Sequence, residues 1–170
     1  MIVVVMGVSG VGKSTIGAQL AARLGCTFLD ADDFHPAGNV AKMAAGVALE
    51  DADRWPWLER MNAELRAHEA RGEHAVLACS ALKEIYRKML AQGLAGFELV
   101  YLHGSEALLR ERLGDRHHRY MPTTLLASQL ATLEPPARAI AIDVAAPPER
   151  CVERIAAALG ARDGEAARSG

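Results

Sequence analysis

The run "IVVVM-GVSGVGKS-TIGAQLAARL", residues 2–24, constrains the fold of this chain more than any other stretch. Five apolar, mostly β-branched residues stop at Gly7 and read as a buried strand. From Ser14, apolar residues recur at Ile16, Leu20, Ala21 and Leu24, the spacing of one helical face, and Gly25 follows as a stop. Between strand and helix, residues 7–14 match G-x-x-x-x-G-K-[ST]. Glycines let the backbone curl so that its N–H groups line a nest for oxyanions, and the N-terminus of the next helix adds partial positive charge. Gly7, Ser9, Gly10, Val11, Gly12, Lys13, Ser14 and Thr15 are therefore the predicted nucleotide-phosphate cradle. Lys13 reaches the terminal phosphates as a point charge, and the Ser14 hydroxyl is a Mg²⁺ ligand.

The rest of the chain repeats the strand–helix alternation. Strands are predicted at "CTFLD", 74–79, 97–103 and 139–143, and helices at 53–72 (N-cap Asp53, with Pro56 in its first turn), 82–92, from Ser105 to about Leu113, 123–133 and 147–159. Alternating short apolar strands and helices make an α/β fold: a parallel sheet covered on both faces, with its ligand crevice at the carboxyl ends of the strands. With 170 residues, the chain suits a single domain that buries about 70% of its unfolded surface. We expect that domain over 1–160 and a disordered tail over 161–170.

A formal charge of −2 argues against nucleic acid or anionic membrane as a partner. No apolar run has the length of a bilayer span, and "MIVVVMG" is too short for a signal peptide's apolar region. Cys26, Cys79 and Cys151 are odd in number and form no CxxC pair, which points to a reducing cytoplasm. Cys79, beside Ser80 at a strand end, has no base at a suitable spacing and reads as a buried structural thiol.

A phosphate loop also serves switches and motors. This chain has no NKxD-type base motif and is short for a motor module, so a small-molecule or nucleotide kinase is the better reading. The acceptor side then falls on "TFLDADDFHP", residues 27–36. If "TFLD" is a strand beside the phosphate-loop strand, Asp30 ends it near the Mg²⁺ and holds the ion directly or through its water. Asp32, on the same strand face by the period of two, accepts or orients the acceptor hydroxyl. Asp33 is a turn residue.

Four blocks, "GVSGVGKST", "DADDFHPAGNVAKMAAGVALEDADRWPWL", "CSALKEIYR" and "RYMPTTLLASQLATLE", lie in order between residues 7 and 134. Together they resemble gluconokinases of the phosphate-loop type. The resemblance implies transfer of the ATP γ-phosphoryl group to the 6-hydroxyl of D-gluconate. It also implies a three-layer nucleoside-monophosphate-kinase-like fold with five parallel strands in order 2-3-1-4-5, an acceptor segment over about 32–72, a mobile lid over about 112–124, and often a homodimer. A polyol carrying a carboxylate needs cations and hydrogen-bonding groups. Arg54, Lys83 and Arg87 are the candidate cations, the last two on one helical face, and His35 and Asn39 suit the hydroxyls. Trp55 and Trp57 read as core. In the lid, Arg116 is the cation expected to close over the transferring group, with Arg112 near the nucleotide; Arg138 could lie over the base. The family's lid runs approximately R-x-G-H-F-M. Here "RHHRYM" puts His118 at the glycine and Arg119 at the histidine, so no role passes to His117 or His118. The rival readings are a different small acceptor, such as shikimate, a nucleotide or another sugar acid, and an inactive nucleotide-binding regulator.

Overall fold

The computed structural model describes residues 1–115 and 123–166. Strand β1 (Ile2–Met6) is wholly buried and sits at the centre of a five-stranded sheet. Its neighbours are β3 (Ala75–Ala78) and β4 (Phe97–His103); β2 (Thr27–Asp30) and β5 (Ile140–Asp143) form the edges. All four pairings are parallel and the order is 2-3-1-4-5, as the resemblance implies.

Alternate residues of β1 feed two different cores, because side chains of a strand alternate between its faces. Val3 and Val5 pack with Ile16 and Leu20 of α1 (Lys13–Leu24), and with Val152, Ile155 and Leu159 of α7 (Pro148–Ala166). Ile2, Val4 and Met6 pack with Leu58, Met61 and Leu65 of α3 (Asp51–Ala70), and with Tyr86 and Leu90 of α4 (Glu84–Ala91). The result is three layers, with each fully buried Leu or Ile contributing about 1.5–3 kcal/mol. On the α1 side, Leu109 of α5 (Glu106–Asp115) and Leu126 of α6 (Thr123–Thr132) join the core.

Several boundaries differ from the sequence expectation. Helix α3 starts at Asp51, not Asp53; Glu50 is its N-cap, and the Asp53 carboxylate accepts the Glu50 N–H at 3.0 Å. Pro56 consequently lies in the second turn, where it cannot donate to the carbonyl of the exposed Ala52. Helix α7 continues to Ala166, past the expected end at 159. A short helix α2 (Ala37–Ala44) follows a 3-10 turn (Ala31–Phe34) in a stretch to which no element was given. The buried Asn39 of α2 donates to the Asp53 carbonyl at 2.8 Å, and Lys42 pairs with the Asp53 carboxylate at 2.7 Å, so both tie α2 to α3. Asn39 is thus a structural residue here, which corrects its expected place among the hydroxyl-binding groups.

Candidate active site

The carboxyl ends of β1, β2 and β3 converge on one gap. Gly7, leaving β1, has φ +149°, and a Cβ there would lie 2.6 Å from the Leu102 carbonyl oxygen, so only glycine fits. Gly12 has φ +89° in the left-handed region and turns the loop into α1. These two residues aim the loop's N–H groups and the helix N-terminus at the same space. Lys13 Nζ curls back to donate to the Val8 carbonyl at 3.1 Å. Burial lowers the Lys13 pKa, while Cys79, Asp32 and Asp30 pull it back up. Lys13 therefore shares one electrostatic neighbourhood with the acidic pair.

Asp30 and Asp32 reach that neighbourhood by different routes. Asp30 ends β2, and its Oδ2 accepts the Ser14 hydroxyl at 2.8 Å. Its Oδ1 accepts the Asp32 N–H at 3.1 Å, which caps the 3-10 turn. Asp32 is in that turn rather than on the strand, so the period-of-two argument does not apply to it. The turn, not the pleat, brings it beside Asp30, and it is exposed to an incoming molecule.

On the nucleotide side, Gly10, Val11, Gly12, Thr15, Ile16, Arg112 and Val144 line an open cavity of about 340 Å³. Arg112 is held there by donating to the Val144 carbonyl at 2.6 Å. Arg138 is exposed and does not line this cavity, which leaves its expected position over the base unsupported.

The acceptor side is assembled from side chains of distant segments. The His35 ring stacks on Trp57 with centroids 4.5 Å apart and planes 8° apart. Trp57 is buried in the core and donates its indole N–H to the Ala31 carbonyl at 2.7 Å, which fixes the floor under the acidic turn. Burial lowers the His35 pKa and Arg54 lowers it further, while Asp32 opposes them. Lys83 Nζ pairs with Asp51 at 3.0 Å, and the Tyr86 hydroxyl also donates to the Asp51 carboxylate. Both partners hold the Asp51 pKa below the usual carboxylate range. Arg54 and Lys83 lie 5.6 and 5.5 Å from the Tyr86 ring centroid, so two cations gather at one aromatic ring.

Arg87 departs from expectation. Lys83 is the N-cap of α4, in extended backbone, and so does not share a helical face with Arg87. The Arg87 side chain is buried, and its Nη1 donates to the carbonyls of Ala81 and Leu82 at 2.9 and 3.0 Å. Ala81 has φ +44°, a left-handed conformation costly for a residue with a Cβ. Arg87 thus braces a strained loop that carries Lys83, rather than facing the gap with it. Cys79 matches its expected role: it is buried, and burial pushes its thiol up to about 12.

Arg116, His117, His118 and Arg119 lie outside the described residues. Sequence reasoning passed over Asp51 and Tyr86, although both stand inside the blocks "L.D.DR" and "CSALK..YR". It also gave no role to Gln129, whose side-chain oxygen accepts the Ser9 N–H at 2.6 Å.

The family described as "AAA domain" matches residues 2–136, which contain the phosphate loop, Asp30, Asp32, His35, Arg54, Lys83 and Arg112. A "Probable gluconokinase" of Xenopus tropicalis is 48% identical over 162 residues, 85% of each chain. The chain belongs to the gluconokinase family. A gluconokinase of Gluconobacter oxydans is 49% identical over 133 residues, covering 78% of this chain and 75% of the relative. The crystal structure of a gluconokinase from Sinorhizobium meliloti superimposes with a TM-score of 0.88 at 41% identity, over 99% of this chain and 96% of that one. The gluconokinase family fold thus covers both the phosphate loop and the acceptor side. Among the described residues no helix is long and apolar enough to cross a membrane.

Proposed function

We propose that this chain transfers the γ-phosphoryl group of ATP to the 6-hydroxyl of D-gluconate, yielding 6-phospho-D-gluconate and ADP. One observation carries the reading beyond family membership. Asp30 meets Ser14 of the phosphate loop at 2.8 Å and holds the exposed Asp32 at its other oxygen, and the cations Arg54 and Lys83 stand at the Tyr86 ring, Arg54 close enough to His35 to lower its pKa. Cations there suit an acceptor that is itself an anion. Curated relatives named gluconokinase favour this over another acceptor or an inactive regulator.

In this reading the loop from Gly7 to Thr15 holds the phosphates, and Arg112 lies against the nucleotide. Lys13 leaves the Val8 carbonyl to meet the terminal phosphates. Asp32 orients the 6-hydroxyl for in-line attack and accepts its proton as the oxygen bonds to phosphorus and the bond to ADP breaks. Arg54 and Lys83 bind the gluconate carboxylate, Lys83 exchanging Asp51 for it, and His35 binds a hydroxyl. Arg116 is the proposed lid cation, supported by its place in the basic segment after α5.

Ser14 Oγ and Asp30 Oδ2 form a pair of hard oxygen donors suited to Mg²⁺, an ion that keeps several waters and binds through one or two protein oxygens plus phosphate. Bound there, Mg²⁺ would neutralise phosphate charge. We further propose a cytoplasmic homodimer, which light scattering at micromolar concentration checks. The activity itself is tested by ADP release with Mg²⁺-ATP. Release that depends on gluconate, and not on shikimate or a nucleoside monophosphate, supports the reading; release indifferent to gluconate rejects it.

A further inference from the structure

Gln129 stands on α6, inside the block "SQLATLE", and has no part in the mechanism above. Its Oε1 accepts the backbone N–H of Ser9 at 2.6 Å, across 120 residues of sequence. An N–H can be met only by the oxygen of a carboxamide, so this bond settles which way the amide is turned. The two N–H donors of Nε2 face elsewhere, and no acceptor takes them among the described residues. The same segment is anchored at its other end. The Glu134 carboxylate accepts the Glu84 N–H at 2.6 Å, and the Glu134 N–H donates to the Leu82 carbonyl at 2.9 Å. Gln129 is therefore held between the phosphate loop and the loop that carries Lys83.

Ser9 lies at the end of the loop away from Thr15. The nucleoside-sized cavity lies along Gly10, Gly12, Thr15 and Arg112. A phosphate chain that leaves this cavity and passes Lys13 ends near Val8 and Ser9, where Lys13 Nζ now rests. The terminal phosphoryl group carries charge on three equatorial oxygens, and Lys13 is a single cation. Two preoriented neutral donors beside Ser9 would stabilise that charge with no reorganisation of their own.

We propose that Gln129 binds the γ-phosphoryl group of the nucleotide, with Oε1 fixed on the Ser9 N–H and Nε2 donating to a γ-oxygen. Gln129 then discriminates triphosphate from diphosphate. The proposal rests on the reading of residues 7–15 as a nucleotide loop, and not on the identity of the acceptor.

The test is titration calorimetry on the full chain in Mg²⁺ buffer without any acceptor, using ADP and a non-hydrolysable ATP analogue. Gln129→Glu keeps an oxygen for Ser9 but replaces the donors with negative charge. It should weaken the analogue about tenfold or more, roughly 1.4 kcal/mol, while ADP stays within about twofold. Gln129→Met, of similar shape with no donors, should move the same way by a smaller factor. ADP affinity reports that each variant is folded with an intact loop. Equal weakening of both nucleotides would identify Gln129 as a loop brace only and overturn the proposal. Unchanged or tighter binding of the analogue would overturn it too, the latter by marking Gln129 as a plug that the nucleotide displaces. Failure of gluconate-dependent ADP release would leave these affinities unaffected, so the two readings fail separately.

Discussion

The two halves of the gap are built in contrasting ways. The phosphate half comes from one unbroken stretch, Gly7 to Thr15, and its shape is a matter of backbone: three glycines with positive φ and the first turn of α1. The acceptor half comes from the 3-10 turn, α3 and the strained loop before α4, and its shape is a matter of side chains. Asp51 there holds Lys83 and Tyr86, and Arg87 braces Ala81. A backbone-built site tolerates much change around it, because main-chain donors do not depend on neighbouring side chains. A side-chain network depends on each member, so single substitutions should separate its binding roles from its structural ones.

The largest expected effect lies where the halves meet. Asp32→Asn should lower kcat by about 10²–10⁴-fold, the range of a lost general base, with ATP affinity within about twofold. Stopped-flow or steady-state ADP release beside ATP calorimetry checks this, and near-normal turnover would remove Asp32 from the chemistry. Next come the acceptor cations. Arg54→Ala or Lys83→Met should raise the KM for gluconate by about 10–100-fold, the worth of one charge-assisted hydrogen bond, while the KM for ATP holds. An equal rise in both KM values would erase the contrast between the halves.

Arg87→Met sharpens the contrast from the other side. It leaves the Ala81 carbonyl without its donor, while the Leu82 carbonyl keeps the Glu134 N–H, and should cost about 1–3 kcal/mol of stability, a drop in Tm of about 2–10 °C by calorimetry. Its effect on the gluconate KM should stay below that of Arg54→Ala. The smallest effect concerns His35, whose pKa is lowered in the fold, chiefly by burial. Below its ordinary value of about 6.5 the unfolded chain binds the proton more readily than the folded one, so stability falls as pH drops from there. His35→Gln should flatten the slope of Tm against pH between about 6.5 and 5. The lowered carboxylates Asp51 and Asp53 act at more acid pH, where their protonation removes native pairing.

Much of this protein was legible before any coordinate. The five strands follow from short apolar runs, and 97–103 is matched to the residue by β4. The Ser14–Asp30 contact was expected from β2 lying beside the phosphate-loop strand, whereas β3 stands between β2 and β1 and the contact reaches across its end. Arg87 was misread because spacing four residues apart implies a shared face only if both residues are helical, and Lys83 is a cap. Asp32 was expected on the strand face of Asp30, but the chain leaves its strand at Asp30 and turns, so a 3-10 turn holds Asp32 beside Asp30.

The sequence by itself determined the parallel sheet and the anion cradle, because periodicity, glycine and helix-start chemistry act over a few neighbouring residues. Only the tertiary structure decided that Arg54 and Lys83 meet at Tyr86, that Arg87 braces Ala81, and that Gln129 meets Ser9. Those outcomes rest on contacts such as Arg87–Ala81, Lys83–Asp51 and Ser9–Gln129, which are 6, 32 and 120 positions apart, and no local pattern encodes which of several similar side chains will be buried.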